Sequence, residues 1–173
     1  MQPIGAKSAP LSAAHYLQRP PEALAMNGYR NWLLGLMQRD EARFRKVWLS
    51  HNDALGQGLS RLAMEGMHAL VSQLESCSRC PLRFLSPFAD HFCQDEGLVL
   101  GLISGLHNGN DDLVWKCASK LACPRMSDQL IGASGQYAMS LKAGGKTLMP
   151  LPEEIFTALM RGEQSCDHAH TLH

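Results

Sequence analysis

At 173 residues, 45% of them hydrophobic and 18% charged, the chain is sized for one packed core rather than for a disordered protein. Its 16 basic and 16 acidic side chains cancel, which removes the long-range attraction that a nucleic-acid binder relies on. No run approaches the ~20 apolar residues of a membrane span, the opening MQPIGAKSAP lacks the apolar stretch of a signal peptide, and six cysteines are too dilute for a disulfide scaffold, so the expectation is a cytoplasmic protein whose cysteines are thiols or metal ligands, with no direct membrane insertion.

Residues 1–14, with Pro3, Gly5, Ser8, Pro10 and Ser12, read as a flexible arm. Pro20-Pro21 precedes an apolar set at near 3.6 spacing (Leu24, Ala25, Tyr29, Trp32, Leu33, Leu36, Met37), so a helix is expected from Pro21 to about Gln38. Asp40 is a natural N-cap for a second helix, Glu41 to Leu49, which carries Phe44, Val47 and Trp48 on one side and Arg39, Arg43, Arg45 and Lys46 on a solvated side. Ser50-His51-Asn52-Asp53 reads as the next break. The i, i+3, i+4, i+7 pattern of Leu55, Leu59, Leu62, Ala63, Met67, Leu70, Val71 and Leu74 then predicts a long amphipathic helix. Its Gly56, Gly58 and Gly66 each weaken it by up to ~1 kcal/mol relative to Ala, and they allow another helix to pack close.

Cys77-Ser78-Arg79-Cys80-Pro81 ends that helix, and Leu82 to Phe92 is short and broken by Pro87. Asp95 to Pro124 is the most apolar stretch of the chain. Asn108-Gly109 inside it is a hairpin signal, but Val99, Ile103 and Leu106 share a helical face, and Asn110 or Asp111 can cap a second helix. Two antiparallel helices, 95–107 and 111–121, are therefore expected, with acids opening each in agreement with the helix dipole. Residues 126–133 read as a short helix, 136–151 as a β-hairpin turning at Gly144-Gly145, and Glu153 to Met160 as a terminal helix after Pro152. The polar residues 162–173 read as a flexible tail. The expected fold class is mainly α: a single compact helical domain over 15–161, with one small hairpin near residues 136–151.

The charge is neutral in total but not uniform. From Phe84 to Trp115 there is no Lys or Arg while Asp90, Asp95, Glu96, Asp111 and Asp112 accumulate. From Lys116 to Lys146 five cations stand against Asp128 alone. Opposed patches of this kind orient partners more than they add affinity.

Candidates for chemistry are sparse. Cys77, Cys80, His91 and Cys93 have zinc-compatible ligand types, and a small zinc-binding regulatory protein is the alternative reading. Against it, His91-x-Cys93 is not a standard second knuckle, and cysteine also packs as a small hydrophobe. Cys117 and Cys123 fit core packing, and Cys166, His168, His170 and His173 form a polar, ligand-rich tail. Gly144-Gly145-Lys146-Thr147 lacks the upstream glycine and the strand–loop–helix flanks of a phosphate loop. His15, His51, His68 and His107 have no readable partner. No catalytic set emerges, and no cofactor is expected. Trp32, Trp48 and Trp115 are expected as core anchors; one left exposed becomes a hot-spot candidate.

Two separated segments carry a resemblance. Ser12-Ala13-Ala14-His15-Tyr16-Leu17 followed by Pro21 and a Leu/Trp helix resembles the N-terminal segment of the K-type accessory proteins (SctK or YscK-like) of the type III secretion sorting platform. Gly97-Leu98, Leu102 and the run Trp115-Lys116-Cys117-Ala118-Ser119-Lys120-Leu121-Ala122-Cys123-Pro124 resemble their late segment. The matching pieces cover under a third of the chain, and Ala118, Ala122 and Cys123 stand where the family tends to carry Leu and Arg. The resemblance implies a mainly helical, non-enzymatic cytoplasmic adaptor with two partners: the cytoplasmic domain of the inner-membrane ring protein and the pod protein of the C-ring-like platform. On this reading partner contact falls to Tyr16, Leu17, Asp111, Asp112, Trp115, Lys116 and Lys120.

Overall fold

The structure is a computed structural model and describes residues 13–76, 81–162 and 169–172. Among the described residues, eight α-helices follow one another: α1 (Ala13–Gln18), α2 (Pro20–Gln38), α3 (Glu41–Leu55), α4 (Gln57–Ser76), α5 (Gln94–Asn108), α6 (Asp111–Leu121), α7 (Ser127–Ala143) and α8 (Glu153–Arg161). A two-stranded antiparallel sheet joins β1 (Leu82–Phe84) to β2 (His170–Leu172), with Leu82 opposite Leu172 and Phe84 opposite His170. The fold is mainly α with a small antiparallel pair, as expected.

Helix α5 is the hub. It packs against α2, α6, α7, α8 and β1. Leu98, Val99, Leu100, Leu102 and Ile103 are all buried, so its apolar residues point in every direction around the axis. A helix hydrophobic all round belongs in the interior, which is why this stretch has no clean amphipathic stripe. The Asn108-Gly109 ambiguity resolves to a helical hairpin. Gly109 takes a left-handed φ of 66° as the C-cap of α5, and the Asn110 side chain accepts a hydrogen bond from Leu113 N at 3.1 Å to cap α6.

Three expectations are corrected. Helix α3 does not stop at Leu49. Ser50 Oγ donates to Val47 O, the buried His51 ring bonds the same carbonyl at 2.9 Å, and the helix runs on to Leu55 before Gly56 (φ 79°) ends it. The polar cluster bonds back onto the helix instead of breaking it. The start of α2 also moves: both Pro20 and Pro21 sit in its first turn, where a missing N–H leaves no hydrogen bond unmade.

The third correction is the hairpin at 136–151. Residues 127–143 form one helix, and the strand pair is β1 with β2 instead, the latter inside the stretch read as a tail. Leu130, Ser134, Tyr137, Ala138 and Leu141 make a buried stripe at helical spacing. Gly66 of α4 lets that stripe approach closely: a Cβ at position 66 would lie 2.5 Å from the Tyr137 backbone nitrogen. Gly145 (φ 72°) then turns the chain out of α7 rather than into a second strand. The segment predicted as the second strand, 147–151, is a strap without regular secondary structure, held by side chains with Leu148 and Leu151 buried. Leu148 N donates to His107 Nδ1 at 3.0 Å and Met149 N to Glu22 Oε1 at 2.7 Å; Met149 O accepts from Tyr16 Oη at 3.0 Å and Ser104 Oγ at 2.7 Å. Helices α1, α2 and α5 thus supply the hydrogen bonds that a neighbouring strand would otherwise give.

Candidate interaction surface

Helix α6 has two chemically distinct halves. Leu113, Val114, Cys117, Ala118 and Leu121 face inward. They fit against α5 because Gly101 and Gly105 leave room; a Cβ at 101 would meet Cys117 Sγ at 2.9 Å, and one at 105 would meet Val114 Cγ2 at 2.8 Å. Burial pushes the Cys117 thiol up to about 12, so it stays a neutral packing group. Asp111, Asp112, Trp115, Lys116, Ser119 and Lys120 all lie on the exposed half. They form two parallel rows at i, i+4 spacing: Asp111–Trp115–Ser119 and Asp112–Lys116–Lys120.

Trp115 is 49% exposed, so it is not the core anchor the sequence suggested. Lys116 pairs with Asp112 across one turn, and its ammonium sits 5.7 Å from the Phe156 ring of α8. Lys120 lies at the edge of an open groove of about 460 Å³ that runs between β1 and the start of α5, past Arg83 and Asp95. Five of the seven contact residues expected from the sequence therefore share one outward helix face. The other two do not join them. Tyr16 is fully buried, and its hydroxyl clamps Met149; burial and the nearby Glu22 carboxylate raise its pKa. Leu17 is half-buried beside a shallow depression shared with Ala14 and Pro87.

The acids upstream serve a different purpose. Glu96 is completely buried and forms a bidentate pair with the buried Arg30, at 2.7 and 3.0 Å. Its carboxylate also accepts from Leu85 N at 2.8 Å and Cys93 N at 3.0 Å, while Arg30 reaches the carbonyls of Ala89 and His91. The pair thereby fixes the 85–93 loop against α2 and α5. Asp95 accepts from Arg83 N at 2.9 Å, closing the outer edge of β1. Only Asp90, Asp111 and Asp112 of the five upstream acids remain exposed, so the acidic surface is smaller than the sequence implied. No sequence motif marks Arg30 and Glu96 as partners across 66 positions.

For the proposed metal ligands, Cys77 and Cys80 lie outside the described residues, as do Cys166, His168 and His173. His91 is exposed and bonds its neighbour Asp90, whose carboxyl that hydrogen bond holds below its usual range. Cys93 is buried, with its thiol donating to Arg83 O. Among the described residues, no group of three or more His, Cys, Asp or Glu is placed to hold a metal ion, and no helix is long and apolar enough to cross a membrane.

His51 and His107, unpartnered in the sequence, are buried and bonded at both ring nitrogens. His51 takes a hydrogen bond from the Tyr137 hydroxyl at 3.0 Å through Nε2 and gives one to Val47 O through Nδ1. His107 gives Nε2–H to Ala138 O and accepts Leu148 N–H at Nδ1. Burial lowers both pKa values, and both rings are wired as neutral tautomers. Phe88 is a feature that sequence reading did not single out. It is 86% exposed at the tip of the 85–93 loop, with the Lys46 ammonium 5.8 Å from its ring. Pro87, immediately before it, is a turn signal that could have flagged an aromatic held at a tip.

No family model matches the sequence, and comparison with curated proteins and with solved structures finds no match.

Proposed function

We propose that this protein is a non-enzymatic adaptor of a bacterial type III protein secretion apparatus, linking the cytoplasmic domain of the inner-membrane ring to the sorting platform. The observation that supports this reading is the outward face of α6: a half-exposed Trp115 set among Asp111, Asp112, Lys116 and Lys120. Tryptophan flanked by charge at an exposed position is the composition of a protein contact, with an apolar anchor at its centre and polar groups at its rim. The same stretch carries the late-segment resemblance to the K-type accessory proteins. The buried polar groups support a scaffold role in turn, because Arg30, Glu96, Glu22, His51 and His107 each hold another part of the chain in place.

The test is affinity capture from a secretion-competent bacterium with the full chain as bait. The reading expects ring or pod components with the wild-type chain and a marked loss with Trp115→Ala. Recovery of no secretion component with a folded bait contradicts it.

A further inference from the structure

The strap at 147–151 is hydrogen-bonded to the body of the protein through side chains. Among the described residues, no backbone–backbone hydrogen bond reaches it; the flanking ones, Lys146 N to Leu141 O and Phe156 N to Pro152 O, belong to the turn before it and the helix after it. His107 takes Leu148 N and Asn108 donates to Leu148 O at 3.1 Å, while Glu22 takes Met149 N and both Tyr16 and Ser104 donate to Met149 O. Leu151 lies on α5, its Cδ2 3.3 Å from where a Cβ at Gly101 would stand.

Histidine has an ordinary pKa that puts its charge change between pH 5 and 8. His107 can accept the Leu148 N–H at Nδ1 only as a neutral ring, because Nε2 carries the hydrogen given to Ala138 O. Protonation places a second N–H at Nδ1, and the backbone N–H opposite has no acceptor to offer in exchange. His51 differs. Its Nε2 faces the Tyr137 hydroxyl, which can turn from donor to acceptor, so a proton there keeps a partner. The charged groups that face His107 are Glu22 of α2, itself paired with Arg19, and Lys142 of α7, whose ammonium donates to the His107 carbonyl at 2.9 Å. Asp111 and Asp112 of α6 are exposed, and Lys146, half-buried, stands two positions before Leu148. β1 and α8 meet α5 at its opposite end, where Asp95 bonds Arg83 and Gln94 bonds Leu159.

From this geometry we propose that His107 is a proton-operated latch, whose protonation releases 147–151 from α5 and bares Leu148 and Leu151 while the helices stay folded. The latch is independent of what the α6 face binds.

Hydrogen exchange of the purified full chain tests this, read by NMR at the Leu148 and Met149 amides and corrected for the intrinsic pH dependence of exchange. At about pH 7.5 and at about pH 5.5 these two amides should exchange at least about tenfold faster than the buried amides of α4 and α7, and low denaturant should leave their rates unchanged, as befits a local opening. Their protection should fall about tenfold from the higher pH to the lower. His107→Asn, whose Oδ1 stands where Nδ1 stood and does not titrate, should reduce that fall to less than about twofold, and His51→Asn should leave it in place. Strap amides that exchange in step with those of α4 and α7 overturn the proposal. So does a wild type without the fall, or a fall that survives in His107→Asn. If His107→Asn does not fold, the two wild-type comparisons still decide.

Discussion

Helices α5 and α6 each open on two adjacent acids in the first turn, and the two pairs do opposite work. Asp95 and Glu96 turn back toward the protein: one closes the β1 edge and pairs with Arg83, and the other is sealed against Arg30. Asp111 and Asp112 point to solvent beside a half-exposed tryptophan. In sequence both are acids at a helix start, favourable to the dipole by a few tenths to about 1 kcal/mol. Their surroundings decide the rest. The first pair has an arginine from a distant helix and backbone N–H groups within reach. The second has only the residues one turn further along its own helix. The comparison separates charge that specifies the fold from charge left at the surface.

The largest expected effect breaks the inner pair. Glu96→Ala leaves Arg30 buried without its counter-ion and frees the N–H groups of Leu85 and Cys93; chemical denaturation should show a loss of about 3–5 kcal/mol. A loss below about 1 kcal/mol would put Glu96 in the same class as Asp111. Next comes the packing that supports the two faces. Gly66→Ala drives a methyl into the Tyr137 backbone, where no side chain can rotate away, and should cost about 1–3 kcal/mol. Gly58→Ala, in open space on the same helix, should instead stabilise by about 0.5–1 kcal/mol. Equal effects at both positions would contradict a close α4–α7 contact at Gly66.

Acid should act through the two buried histidines. His51 and His107 have folded pKa values lowered by burial, so below about pH 6.5 the unfolded chain binds more protons than the folded one, and stability falls with pH. The loss should reach up to about 1.4 kcal/mol per pH unit for each histidine until its folded pKa is passed. Protonating His107 Nδ1 also sets a donor against Leu148 N–H and loosens the strap. Denaturation at about pH 7.5 and about pH 5.5 checks this, and equal stability at the two would contradict the neutral wiring of both rings. The smallest effect belongs to the outer pair: Asp111→Ala should change stability by less than about 1 kcal/mol.

Most of the helical architecture was legible from residue spacing. The Asp40 cap, the α4 stripe and the α5–α6 turn each depend on neighbours a few positions away, and local rules reach that far. Helix α7 was cut short because Ser134 interrupts its stripe with a polar residue; its hydroxyl donates to Leu130 O at 2.7 Å, so the serine is buried at no cost in unmet hydrogen bonds. The strap was misread because its sequence looks the same whether a neighbouring strand or side chains satisfy its backbone. β2 was hidden in a polar stretch because its partner β1 lies far back in the chain, with Leu82 against Leu172. Of the expected contact residues, those on α6 sit together at the surface because residues four apart share a helix face. Tyr16 does not, because nothing near it in sequence announces Met149, 133 positions on.

The central claim is that Trp115 serves a partner and not the core. It is tested most directly by measuring the melting temperature of Trp115→Ala together with its capture of secretion components. The expected result is a melting temperature within a few degrees of the wild type, matching a cost below about 1.5 kcal/mol, and capture largely lost. A collapse in stability of the about 3–5 kcal/mol size of a buried aromatic truncation, or undiminished capture by the folded variant, would contradict it.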